Sequence, residues 1–412
     1  MVYSQAMAHP QADEAVGTTS QFWRLAFTLF AVALSSQAAS PVLLFYTHDL
    51  ALTPTMLTVF FAIYALGLVP ALLLGGPQSD RIGRKQVVVP AVVLVLLSVV
   101  AFEAAAAFGE PALLLARFLQ GITAGAVFTV GTVWLRELAG TAHATRAAMV
   151  ASGVMAFGFA FGPLVTGALV EWAPYPKIVP MLVPLVLLAL AITLLLSIPE
   201  TMTRRQEGRI RVGVPASARR GFFLFLLPVG LLVYTPAMLT LTIFPIQAAR
   251  AGASSIYALT GVSIFCLQGA AALAAIYARK WGARVSGWLS AVVCIGGCLL
   301  GYVAVQPGGA GWLLPASALI GFSGGLAMTA GLMVSDLLAP IDRRGGLVSM
   351  FYIVVYFGFM VPTIFATLFG KQTLEKGSTI LAHAAGALIV LVIVAGPGQA
   401  LLRRREAEPP QS

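Results

Sequence analysis

Twelve stretches of mostly apolar residues, each about long enough to cross a bilayer, leave this chain few choices of fold. They lie near residues 25–46, 54–76, 86–108, 112–135, 147–170, 178–198, 221–246, 256–278, 284–305, 312–336, 347–370 and 379–401. A helical span needs about 20 apolar residues. Lipid offers no partner to an open backbone, so only helices and closed barrels cross it. The stretches lack the short alternation of barrel strands. The predicted class is therefore an all-α membrane protein with 12 transmembrane helices. Composition agrees: 10% of the residues are charged, against about 25% in soluble domains. Residues 1–22 are polar and lack the apolar core of a cleavable signal peptide.

Charge placement predicts the orientation. With both termini in the cytoplasm, 20 of the 25 Lys and Arg residues fall on the inner side. The outer side keeps Lys177, Arg250, Lys371 and Lys376, and Arg117 falls within a span. Basic loops recurring on one side follow the positive-inside rule and predict a multi-pass protein of the cell membrane, with the lipid bilayer as its surroundings. The net charge of +10 thus reads as topology; no basic patch is interleaved with aromatics, so no nucleic-acid partner is expected. Trp23, Trp134, Trp172, Trp281, Trp288 and Trp312 fall near span ends, as an interfacial belt would. Cys266, Cys294 and Cys298 lie within spans without nearby His or carboxylate and read as small core residues. No metal, cofactor or enzymatic motif is visible, and a monomer is expected.

A shift of 200 residues lays the first half on the second. "LQGITAGAVFTVG" (119–131) meets "LIGFSGGLAMTAG" (319–331), and Arg84 meets Arg284. Such a parallel internal repeat predicts two six-helix bundles, 22–198 and 221–402. They are joined by a basic cytoplasmic linker, 199–220, and flanked by cytoplasmic tails, 1–21 and 403–412. A seam between related bundles suits a transporter that rocks one half on the other.

Between the second and third spans stands Gly75-Gly76-Pro-Gln-Ser-Asp80-Arg81-Ile-Gly83-Arg84-Lys85. Gly76 and Gly83 are expected to frame a tight turn, and Arg81, Arg84 and Lys85 to hold the loop at the anionic leaflet. This loop resembles the signature loop of the major facilitator superfamily. Arg117-Phe-Leu-Gln120-Gly121 with Gly125 resembles the family's fourth-helix motif. Gly158, Gly162, Pro163 and Gly167 resemble the fifth-helix motif of exporters in the drug and proton antiporter branch, with Thr166 where the fuller pattern has glycine. The resemblance covers about residues 22–402. It implies that Asp80 docks on the N-terminus of the eleventh helix when the cytoplasmic side is shut.

Two further expectations concern charge inside the membrane. Arg117 and Glu103 lie at about equal depth on adjacent spans, so they either pair or snorkel separately to the outer interface. Many proton-coupled members of the branch carry an acid on the first helix about a turn before a proline; here Gln37 precedes Pro41 and cannot titrate. Proton coupling and facilitated diffusion both stay open.

Gln37, Tyr46, Tyr234, Gln268, Tyr352 and Tyr356 are the candidates to line a central cavity. A mostly apolar cavity with few charges suits a small hydrophobic or weakly polar molecule. The expected function is a secondary transporter, an exporter of drug-like compounds or metabolites, with protons as a second partner if transport is coupled. A sugar or small-metabolite transporter of the same fold is the alternative, and a non-transporting membrane sensor or scaffold the other.

Overall fold

The computed structural model describes residues 17–49, 53–202, 213–339, 343–370 and 377–407. All regular structure within them is helical. Helices α1 to α6 run Thr19–Asp49, Pro54–Ile82, Arg84–Phe108, Glu110–Ala139, Ala144–Trp172 and Val179–Leu196. The span Ala216–Arg250 is α7. The continuous helix Ile256–Ala304 turns at Gly282, which has φ 79°, into α8 (256–281) and α9 (283–304). Leu313–Leu338 is α10, and Ser378–Arg403 is α12. Between them α11 consists of Arg344–Phe357 and Val361–Phe369, bent by 47°. Among the described residues ten helices are long and apolar enough to cross a membrane; the bent α11 makes an eleventh span, and the division at Gly282 a twelfth. The expected number of spans stands. Most of the tail expected at 1–21, the middle of the linker and residues 408–412 lie outside the described residues.

What holds the helices together is close backbone approach. Apolar side chains gain little by leaving lipid for protein, so contact must come from packing. A Cβ added at Gly121 would lie 2.1 Å from the Tyr64 carbonyl oxygen, and one at Gly125 2.7 Å from that of Leu68. Thus α4 lies on the backbone of α2. The repeat-related Gly321 and Gly325 of α10 do the same to α8, where a Cβ would sit 1.9 Å from Leu267 O and 2.2 Å from Ala271 O. Gly158 and Gly162 of α5 press on the Phe30 and Leu34 carbonyls of α1. Thr166, where the fuller pattern has glycine, donates from Oγ1 to Ala38 O of α1 at 2.8 Å and to Gly162 O at 2.9 Å. The hydroxyl turns a side chain that would space the helices into one that ties them.

The C-terminal ends of α2, α4, α6, α8 and α10 lie at one end of the molecule, the basic end; the other is the far end. Two expectations about side chains change. Helix α2 continues through Gly76 and Pro77 to Ile82, so Gly76 frames no turn. Gly75 and Gly76 instead face α4 near Thr129, and the turn is Gly83 alone, with φ 115°. Trp134 is fully buried rather than interfacial, whereas Trp23, Trp172, Trp281, Trp288 and Trp312 are exposed.

Gly321→Leu should abolish the folded protein, because the obstacle is a backbone carbonyl that cannot swing aside, and forced overpacking costs about 1–3 kcal/mol even where side chains can yield. Gly153→Leu and Gly296→Leu, with open space around the added Cβ, should leave thermal unfolding of the purified protein within a few degrees of the parent. Equal losses at all three positions would show that the seam does not carry the packing.

Candidate functional site

At the basic end, Arg84 is the centre of a compact ionic cluster. Its guanidinium donates to Asp80 Oδ1 at 2.5 Å, to Ser79 Oγ at 2.5 Å and to Glu137 Oε1 at 2.9 Å. Glu137 also accepts from Thr201 Oγ1. Glu200 takes the backbone N–H groups of Arg84 and Lys85 at 3.0 and 2.9 Å, capping the start of α3. Lys85 Nζ in turn donates to the Leu196 and Ile198 carbonyls at 2.8 and 2.9 Å, at the end of α6. Glu200 at the start of α3 and Lys85 Nζ at the end of α6 each meet the helix terminus that suits their sign. Gly83 has φ 115°, a conformation that strains any larger residue in the turn. Arg84 and Lys85 therefore clamp α2, α3, α4 and α6 together instead of facing the leaflet. Arg81 is exposed. Glu137, Glu200 and Thr201 were not among the residues singled out from sequence, since each is a lone polar residue without a motif to mark it.

Asp80 is bound to Arg84 here. Among the described residues no hydrogen bond or ion pair joins it to the start of α11, where Arg344 Nε lies 3.6 Å from Asp336 Oδ1.

Inside the first six helices Arg117 is 1% exposed. It donates to Ser36 O at 3.1 Å and Gln120 Oε1 at 2.5 Å, while Gln120 Nε2 donates to Ser35 O at 3.1 Å. Its guanidinium lies 4.7 Å from the Tyr64 ring centroid and 5.5 Å from that of Phe61. The fourth-helix motif thus grips the backbone of α1 at Ser35 and Ser36, about one and a half turns before Pro41, and stacks a cation on two rings of α2. Of the two arrangements expected for Arg117 and Glu103, the pair is not formed: Glu103 Oε1 is buried without a hydrogen-bond partner, and Arg117 reaches α1 and α2. Equal depth on neighbouring helices does not place two side chains on facing sides.

The central site forms where two broken helices meet. The regular helix of α7 gives way to a turn just after Tyr234, followed by a π-helical stretch, Leu239–Ile243. The bend of α11 falls at 358–360. A Cβ on Gly358 would lie 2.9 Å from Thr235 N, so the two breaks pack on each other. Around them Tyr234 stacks on Tyr356 (centroids 5.3 Å apart) and packs on Phe359 at 4.4 Å, and Tyr352 continues the stack beside Tyr356 at 6.3 Å. Phe61 of α2 stacks on Phe359 at 6.4 Å, bringing the first half to the cluster. Tyr234 and Gln268 line a pocket of about 180 Å³ between α7, α8 and α10. Thr235 Oγ1 is buried with no hydrogen-bond partner. Gln37 is half-buried and accepts from Ser40 Oγ at 3.2 Å.

Of the six cavity candidates, Tyr234, Tyr352 and Tyr356 gather in this cluster and Gln268 lies beside it. Tyr46 does not belong: it is fully buried, its ring against Phe45 and against Phe102 of α3. Its side of α1 faces the core of the first half. Sequence reasoning passed over Phe61, Tyr64, Thr235 and Phe359, because nothing in an apolar span marks which face meets the other half.

The far end is where the halves are hydrogen-bonded. Thr363 and Thr58 share a bond at 2.9 Å, and Glu171 Oε2 accepts from Tyr257 N at 3.0 Å and Ala258 N at 3.4 Å. Among the described residues these are the hydrogen bonds that link helices α1–α6 to helices α7–α12.

Residues 25–363 match the sequence profile of the Major Facilitator Superfamily. The chain belongs to that superfamily. It is a multi-pass membrane protein. Over 243 residues it is 27% identical to the multidrug resistance protein MdtM of Salmonella typhimurium, a match covering 58% of each chain. Over 151 residues it is 28% identical to the quinolone resistance protein NorA of Staphylococcus aureus, covering 37% of this chain and 38% of that one. The matched part therefore spans less than two thirds of either relative. The fold is that of the nucleoside transporter NupG, at a TM-score of 0.73 with 13% identity, covering 91% of this chain and 98% of that one. It is also that of a transporter of the POT family solved with a thioalcohol-conjugated peptide, at a TM-score of 0.74 with 11% identity, covering 91% and 94%.

Because Glu103 and Arg117 do not touch, their double-mutant cycle should be additive to within about 0.5 kcal/mol. Glu103→Gln alone should leave the unfolding temperature unchanged or raise it, since it removes the charge from a half-buried carboxylate whose Oε1 is buried without a partner. A coupling well above that limit in thermal or chemical unfolding would restore the pair.

Proposed function

We propose that this transporter exports small hydrophobic or weakly polar molecules across the cell membrane by alternating access. In this reading the basic end and both termini face the cytoplasm, as the positive-inside rule suggests. The conformation is then inward-facing: the halves are bonded at the far, outer end, and the latch at the basic end is undone.

The observation that carries the proposal is the aromatic cluster at the seam, built on the breaks of α7 and α11. Discontinuous helices are where transporters of this kind place their substrate sites. A break frees backbone groups to face a ligand, and its two segments can re-angle. The rings of Tyr234, Tyr352, Tyr356, Phe359 and Phe61 offer apolar area with a few hydroxyls, and Thr235 and Gln268 add sparse polar contacts. This chemistry suits drug-like or metabolite molecules better than sugars, which need many polar partners. The similarity to MdtM and NorA supports the same reading.

Inside-out vesicles carrying the protein should accumulate a fluorescent hydrophobic drug. Tyr234→Ala and Tyr356→Ala should each lower its apparent affinity about tenfold, losing one stacking surface each, while Tyr46→Phe should leave transport near the parent level. Uptake of a sugar but no drug, indifferent to the two alanine substitutions, would move the function to the alternative.

Coupling to protons is expected to be weak, because Gln37 occupies the place of an acid on α1. The drug gradient should steepen only modestly with an imposed pH gradient, and Gln37→Glu should make it steeper. Strong accumulation by the parent protein, abolished by a protonophore, would show that another carboxylate already does the coupling.

A further inference from the structure

We propose that Glu171 is a latch that holds the far end shut, the counterpart of Asp80 at the basic end, and that the two carboxylates hold alternately. The inference rests on the alternating-access reading above.

Each acid is in the wrong place for its own helix. Asp80 lies in the last turn of α2 and Glu171 in the last turn of α5, two helices of 29 residues each. A carboxylate at a helix C-terminus is repelled by the local dipole and favoured at an N-terminus. Some other helix must therefore supply the compensation. Each six-helix half of this fold is itself two three-helix units of inverted topology. In that pseudosymmetry α2 corresponds to α5, and α8 to α11. An acid at the end of α2 that meets the start of α11 at one face implies an acid at the end of α5 meeting the start of α8 at the other.

The structure carries the second contact. Glu171 Oε2 accepts from Tyr257 N and Ala258 N, at 3.0 and 3.4 Å, in the first turn of α8. Those groups have no acceptor within their own helix. The residue ahead of them, Ser255, makes no side-chain cap and has φ 55°. The sequence of α8 thus leaves its N-terminus to be capped from the other half. Reach is provided by glycine: a Cβ on Gly167 would lie 2.5 Å from Tyr257 O, and one on Gly261 2.3 Å from Pro163 O. Phe45 packs edge-on against Tyr257 beside the bond, and Arg250 lines the same surface pocket as Glu171. At the basic end the matching contact is open, with Asp80 held by Arg84 at 2.5 Å. One latch is made while the other is released, as alternation requires.

The test uses the full chain with Cys266, Cys294 and Cys298 replaced, and spin labels on Tyr175→Cys and Ser254→Cys at the far end or Arg146→Cys and Lys280→Cys at the basic end. Glu171→Ala should raise the ratio of far-end-open to far-end-closed molecules about tenfold, equivalent to about 1.4 kcal/mol. Glu171→Gln, which keeps an acceptor oxygen and the shape of the site, should raise it less. Asp80→Asn should move both distances the opposite way, and Asp80→Asn with Glu171→Ala should return toward the parent ratio. Far-end distances unchanged in both Glu171 variants, while Asp80→Asn still shifts them, would overturn the latch and leave alternating access standing. A single distance at each end in the parent and every variant, with and without drug, would overturn the alternating-access reading and the latch with it.

Discussion

Lipid removes the force that assembles soluble proteins, and the whole molecule is organised around replacing it. Burying a leucine against a neighbouring helix gains little when the alternative is an acyl chain. Adhesion must come from contacts that lipid cannot imitate, backbone against backbone. The glycines of α4 and α10 bring whole helices onto the carbonyls of α2 and α8, and those of α5 do so on α1 and then, further along, on α8. Once these seams are set, the positions of the remaining side chains follow, including which ones face the other half.

The ionic groups divide by the same logic. Near water, charge can be used freely, and at the basic end Asp80, Arg84, Lys85, Glu137 and Glu200 tie four helices through paired charges and helix termini. Deeper in, charge is costly. Arg117 is held by two oxygens and two rings rather than by a carboxylate. Such a site positions a cation without neutralising it.

Helix breaks and tight seams have opposite roles. The seams within each half make it rigid. The breaks of α7 and α11 lie between halves, where Gly358 packs on Thr235 and the aromatic cluster collects. Rigid halves with compliant helices at their boundary can exchange contacts at the two ends without repacking their cores. The hydrogen bonds between halves fit this division, since among the described residues they fall at one end only.

Span number, repeat and family were legible in the sequence, because lipid acts on each residue locally: twenty apolar positions in a row mean a span whatever surrounds them. The charged loop and the glycine motifs were legible for a similar reason, being consecutive residues with a fixed chemistry. What the tertiary structure alone decided is which way each side chain turns. Sequence depth put Glu103 beside Arg117 and Tyr46 in the cavity; helix rotation put Arg117 on α1 and α2, and Tyr46 against α3. An amphipathic helix in water announces its buried face by polar residues on the other, but a helix in lipid is apolar all round. Its rotation is set by where small residues let a neighbour in, and that is a property of two helices together. Glu171 makes the same point: its sequence neighbours mark it as one more acid at a helix end, and only the approach of α8 gives it a partner.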